Sequence, residues 1–156
     1  MPKQSAGLLA YRIRSNSVEV FLVHPGGPFW AKKDAGVWSI PKGEFDESEE
    51  PQEAARREFF EETGVQVTGE FFFLGSLRQP GGKLVHAWAI QVDIDPTLIN
   101  SNTFSMEWPP KSGQHKEFPE ADRAGWFTRD EAMQKILRGQ QGFVTRLLEM
   151  LQKARE

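Results

Sequence analysis

The chain has 156 residues, of which 38% are hydrophobic and 26% charged, with a formal charge of −3 and no cysteine. That size and composition predict one folded domain and exclude a disordered chain. Disulfides, thiolate zinc sites and cysteine nucleophiles are ruled out, and the negative charge argues against a general nucleic-acid binder, so no DNA binding is expected.

Met1-Pro2-Lys3-Gln4-Ser5 runs directly into a strand-like pattern, so no signal peptide is expected. No apolar run approaches the roughly 20 residues of a membrane-spanning helix. The expectation is a cytoplasmic domain with no membrane attachment; the oligomeric state is left open. Ala6 to Ile13 and Val18 to His24 read as strands, with Ser15-Asn16-Ser17 supplying the turn. Pro25-Gly26-Gly27-Pro28 stops regular structure, and Trp38-Ser39-Ile40 is a short extended piece kept from helix by Pro41. Gly43 to Glu50 reads as a loop. Pro51 to Thr63 is the strongest helix, with Pro51 in the first turn, Ala54, Ala55 and Phe59 on one face, and Gly64 as the stop. Phe71 to Arg78 and Lys83 to Asp95 read as a hairpin about Gln79-Pro80-Gly81-Gly82. Asn100 to Pro119 is polar and without periodicity, so a substrate-closing loop is expected there, with a disordered insertion as the bland alternative. Ala124 to Phe127 is a further strand. Thr128 and Glu131 form a capping box for the helix that follows, and a last helix covers Gln141 to Ala154 with Phe143, Leu147, Leu148 and Leu151 on one face. Twelve Phe and five Trp supply bulky core material. The order of elements suggests an α/β/α layered domain with a mixed sheet.

The chemistry is concentrated between Gly43 and Val65, which reads GEFDESEEPQEAARREFFEETGV. Glu58, Glu61 and Glu62 stand at i, i+3 and i+4, so their carboxylates share one helix face and repel one another. A divalent cation would turn that repulsion into binding. Hard oxygen donors without His or Cys suit Mg²⁺ or Mn²⁺ and do not suit zinc. Arg57 lies four residues before Glu61 and can orient its carboxylate, and Glu49 is placed to hold Arg57 or the loop. Gly43 lets the backbone come close to such a cation, with its carbonyl as a ligand. The ordinary explanation of an acidic helix is a solvated face. Here the fixed spacing decides against it.

That spacing resembles the Nudix box at every position: Gly43, Glu49, Arg57, Glu58, Phe59, Glu61, Glu62, Gly64 and Val65. Chance would produce the pattern with a probability of roughly 10⁻⁷ over a chain of this length. The resemblance implies a single Nudix hydrolase domain over residues 1–156, with a Nudix-like α/β/α sandwich and a mixed β-sheet. It implies that Glu58, Glu61, Glu62 and the Gly43 carbonyl are metal ligands, with Arg57 and Glu49 in support. The reaction implied is attack of metal-activated water on phosphorus with a phosphate leaving group. The family takes its catalytic base either from the box helix or from a late-loop Glu. Glu117 ranks ahead of Glu120 for that second role.

Trp38-Ser39-Ile40-Pro41-Lys42-Gly43 resembles the approach to the box in dinucleoside polyphosphate hydrolases, and it gives Lys42 a phosphate-binding role beside its plain reading as a solvated lysine. Phe29 or Trp30 in the glycine-proline loop, and Trp108, offer faces for a base. Lys32, Lys33, Lys111 and Lys116 offer charge for phosphates, and a hydrophobic plug beneath a loop is the competing reading of the aromatics. His24, His86 and His115 show no metal-ligand spacing. The expected activity is a divalent-metal-dependent pyrophosphohydrolase cleaving nucleoside polyphosphates, either dinucleoside polyphosphates or NTPs. The alternatives are hydrolysis of nucleoside diphosphate sugars or RNA 5′ ends, or a non-catalytic nucleotide-binding module.

Overall fold

The computed structural model describes residues 3–154, so Met1 and Pro2 of the N-terminal reading lie outside it. Strands β1 (Gln4–Arg14) and β2 (Ser17–Pro25) form the first hairpin. Ser15 and Asn16 take φ of 50° and 64°, the conformation that lets a two-residue turn follow the twist of its strands. The pair is in register only from Tyr11 and Val20 to the turn. Beyond it the strands part, and the chain after Trp38 enters the gap. Ser39 exchanges two backbone hydrogen bonds with Val23, at 2.9 and 3.0 Å. Strand β3 (Lys42–Glu44) then runs antiparallel to Ser5–Gly7. Gly43, expected in a loop, is therefore a strand residue, because the free edge of β1 offers it partners that no local pattern reveals. Only residues 45–50 form the loop.

Helix α1 (Pro51–Thr63) covers the predicted residues and ends on Gly64, whose φ is 76°. Strands β4 (Phe72–Arg78) and β5 (Leu84–Gln91) make the second hairpin, and β5 runs parallel to β1. Strand β8, defined by Ala121–Thr128, pairs with the other side of β2, which gives the mixed order β4-β5-β1-β2-β8 with β3 attached to β1. The Thr128–Glu131 capping box opens helix α2 (Arg129–Lys135), and helix α3 (Gln141–Ala154) closes the chain.

Alternation along β1 sends side chains to both faces of the sheet. Leu9 and Tyr11 pack with Ala132, Phe143, Val144 and Leu147 of α2 and α3. Leu8 and Ala10 pack with Ala54, Ala55 and Phe59 of α1. Two cores on one sheet make the expected α/β/α sandwich. No helix among the described residues is long and apolar enough to cross a membrane.

Residues 100–119 depart from expectation. Most of the segment is a two-stranded hairpin, β6 (Thr103–Glu107) and β7 (His115–Pro119), separate from the main sheet. Its sequence lacks a clear apolar alternation because neither face enters a core. Phe104 and Phe118 meet across it at 6.1 Å, and most other positions are exposed.

Candidate active site

Arg57 gathers the box. Its Nε and Nη2 donate to the two oxygens of Glu49 at 2.6 and 2.9 Å, a bidentate pair that ties the loop to the helix. Its Nη1 donates to Glu58 at 2.8 Å and to both oxygens of Glu61 at 3.2 Å. The Glu49 pair holds the guanidinium firmly protonated and in turn draws the Glu49 carboxyl below its usual range. Glu58 is buried against β3, and a Cβ on Gly43 would collide with its carboxylate. That contact is the physical reason for glycine at this position.

On the outward side of this network the carboxylates lose water and face like charge. Burial pushes the Glu58 carboxyl up, and Glu61 adds to the effect. Burial also pushes Glu62 up to about 8, against the attraction of Lys42. The Lys42 ammonium is shifted down, chiefly by its own burial. Glu120, in the turn between β7 and β8, is raised by burial and by Glu61, and its charge is felt at Glu58 and Glu62.

A cavity of about 230 Å³ opens on this face. Lys42, Glu62 and Glu120 supply its polar wall, Val23, Val37 and Leu137 its apolar wall, and Trp30 stands at its edge. A larger hollow of about 1000 Å³ lies on the other side of the box loop, lined by Lys3, Glu44, Phe45 and the loop itself. It lacks Glu58, Glu61 and Glu62, whereas the smaller cavity takes Glu62 into its lining.

The structure thus brings Glu58, Glu61, Glu62, Gly43, Arg57, Lys42 and Trp30 to one region. Glu117 does not join them; it sits exposed in β7 opposite Ser105. The late carboxylate in the field of the box is Glu120. Trp108 stands a step away from the cavity, with its ring edge-to-face on Phe29 at 5.5 Å and 89°. Lys111 is exposed at the hairpin tip, its backbone N–H donating to Glu107. Sequence reasoning missed Val23, Val37 and Leu137, which come from three separate segments and look like ordinary core residues.

The donor set fits a hard divalent cation. It consists of carboxylates in a partly dehydrated site, with protonation of two of them favoured by burial and then by neighbouring like charge. Among the described residues no three acidic or His side chains close into a ready cage, and Arg57 occupies oxygens of both Glu58 and Glu61.

A family model for the NUDIX domain matches residues 3–147. The chain belongs to the Nudix hydrolase family. The NUDIX domain of Shewanella oneidensis NrtR, solved with ADP ribose, superposes with a TM-score of 0.67 at 16% identity, over 97% of this chain and 89% of that one. An Ap4A hydrolase from C. elegans, solved as a binary complex, gives 0.62 at 20% identity, over 97% and 98% of the two chains. At such identities the likeness is one of fold. An RNA pyrophosphohydrolase of Bartonella henselae is 59% identical over 29 residues, 19% of this chain. That match spans only 17% of the relative's length.

Proposed function

We propose that this Nudix domain is a divalent-metal-dependent pyrophosphohydrolase that cleaves a phosphoanhydride bond in nucleoside polyphosphates, with dinucleoside polyphosphates or NTPs as substrates. The observation that carries the reading is the 230 Å³ cavity, in which Glu62 of the acidic helix face, the half-buried Lys42 and the exposed Trp30 meet. Glu58, Glu61, Glu62 and the Gly43 carbonyl would hold Mg²⁺ or Mn²⁺. When bound, such an ion neutralises phosphate charge and lowers the pKa of coordinated water.

The chain's own groups do the remaining work. Arg57 fixes the carboxylates of Glu58 and Glu61 in direction. Lys42 supplies a cation to a phosphate lying along the cavity wall, where low dielectric strengthens the attraction. Glu120, with its carboxyl raised by burial and by Glu61, is the general base of this reading in place of Glu117. It takes a proton from the attacking water, and the leaving phosphate departs toward solvent. Trp30 offers a face to the base. The 5′ end of RNA is the second reading, favoured by the 29-residue match to the Bartonella henselae enzyme.

A panel of NTPs, dinucleoside polyphosphates, nucleotide sugars and 5′-triphosphorylated oligoribonucleotides, with products separated by chromatography, tests the reading. Metal-dependent release of a mononucleotide or pyrophosphate from the first two classes supports it. Turnover confined to nucleotide sugars, or binding without turnover, overturns it.

A further inference from the structure

His24 is fully buried, yet both its ring nitrogens are engaged. Nε2 lies 2.6 Å from the Lys33 carbonyl oxygen, and Nδ1 lies 2.8 Å from Oδ1 of Asp122. A carbonyl only accepts, so Nε2 carries a hydrogen. The imidazole thus bridges two segments of distant sequence, the 25–34 loop and the start of β8.

The backbone is shaped for this bridge. In the β2–β8 ladder His24 pairs with Arg123 and Pro25 with Ala121, which leaves Asp122 as the extra residue of a β-bulge. A bulge re-aims the side chain of its extra residue, and here that side chain turns onto His24. Just beyond, the Gly26 N–H donates to the Glu120 carbonyl at 3.0 Å, and a Cβ on Gly26 would run into the Pro119 carbonyl. The Glu120 N–H donates to Asn102 at 2.8 Å, and the Asn102 N–H to the Glu61 carbonyl at 2.7 Å, so this end of β8 is anchored on α1. The 25–34 loop carries Trp30 into the cavity wall and Phe29 against Trp108.

We propose that His24 is a positioning residue: by bridging Asp122 and the Lys33 carbonyl it joins the Trp30 loop to the Glu120 turn as one rigid wall of the cavity, and so sets nucleotide affinity. The proposal rests on the nucleotide reading for its kinetic consequence only.

The test uses the full chain as parent, Asp122→Ala and Asp122→Asn. Asp122 is the place to cut, since 28% of its side chain is exposed whereas none of the His24 side chain is. In Asp122→Ala, hydrogen exchange of amides in residues 25–34 should quicken by about tenfold, the effect of one lost hydrogen bond, while α1 keeps the parent's protection. Asp122→Asn should restore protection, because its amide N–H can donate to Nδ1 while Nε2 keeps its bond to Lys33. Parent-like exchange of the loop in Asp122→Ala overturns the bridge, since Asp34, which accepts from Trp38 Nε1 at 2.9 Å, then holds the loop unaided. On the best nucleotide, KM for Asp122→Ala should rise about tenfold with kcat within about threefold, because Glu120 keeps its tie to Asn102. A fall in kcat at unchanged KM overturns the positioning role. If the parent turns over no nucleotide, the substrate reading fails, and the exchange measurement alone decides the bridge.

Discussion

Within the box, Arg57 alone ties Glu49, Glu58 and Glu61 together, and Glu58 is pressed onto Gly43 of β3. The surface outside the cavity, beyond Trp30, is built otherwise. The β6–β7 hairpin contributes Trp108, which meets the 25–34 loop through Phe29, while Phe104 packs over Gly27. The box is short-range in sequence, with partners one to fifteen residues apart, whereas the outer wall joins segments about eighty residues apart. The proposed metal and phosphate site would tolerate little displacement, so dense local bonding suits it. A recognition wall made of exposed hairpin and loop can change without disturbing that chemistry.

The sharpest way to break this contrast is to remove one charge from the box. Glu61→Gln keeps size and its acceptor oxygen toward Arg57 but takes a carboxylate from the metal face. Turnover should fall by about 10²–10³ with the fold intact by circular dichroism. EDTA should abolish parent activity and Mg²⁺ or Mn²⁺ restore it. Full activity in the variant or in chelator would remove the metal from the scheme.

The same contrast explains what could be read from the sequence. The box helix was legible to the residue, because Pro51, the alanine-phenylalanine stripe and Gly64 are local signals that agree with one another. So were α3 and the Thr128 capping box. The β6–β7 hairpin was not, since it buries no face and so writes no alternation. β3 was hidden because Gly43 pairs with an edge of β1 that opens only in three dimensions. His24 gave no sign of its bridge, because its partners depend on a bulge and on a loop carbonyl.

Glu120 and Glu117 separate the turn after β7 from the hairpin itself. Glu120→Gln should lower kcat by about 10² while leaving KM near the parent value, as expected when a general base is lost. Glu117→Gln, on the exposed strand, should change kcat by less than about twofold. Equal losses would place the base on the hairpin and return the assignment to Glu117.

Trp30 and Trp108 sharpen the comparison within the outer wall. Trp30 borders the cavity, so Trp30→Ala should raise nucleotide KM by about five- to hundredfold if it stacks on the base. Trp108 acts through Phe29, and Lys111 is solvent-exposed, so Trp108→Ala with Lys111→Ala should raise KM by only about two- to fivefold. Steady-state kinetics across a nucleotide panel reads both. A larger effect at Trp108 than at Trp30 would move the base outward onto the hairpin.

The smallest effect is thermodynamic. In the metal-free chain burial pushes the Glu62 carboxyl up to about 8, against about 4.3 in the unfolded chain. Between those values the folded state holds a proton that the unfolded state has lost. Stability from this group is therefore complete below the lower value and declines as pH rises through the upper one. Glu58 and Glu120 are raised as well and act in the same direction. Lys42, shifted down by burial, acts with the opposite sign. Its folded pKa lies below the unfolded one, so its protonated form is the less stable in the fold and stability rises as the unfolded lysine titrates near pH 10. In EDTA, Tm should fall by about 5–15 °C from pH 5 to pH 8.5. Glu62→Gln should remove most of that slope, since the amide cannot ionise. Saturating Mn²⁺ should oppose it, because an ion competes with the proton and binds more tightly as pH rises. A Tm that stays level or climbs across this range in EDTA would show that Glu62 is already ionised beside Lys42, and that the cavity is wetter than its lining implies.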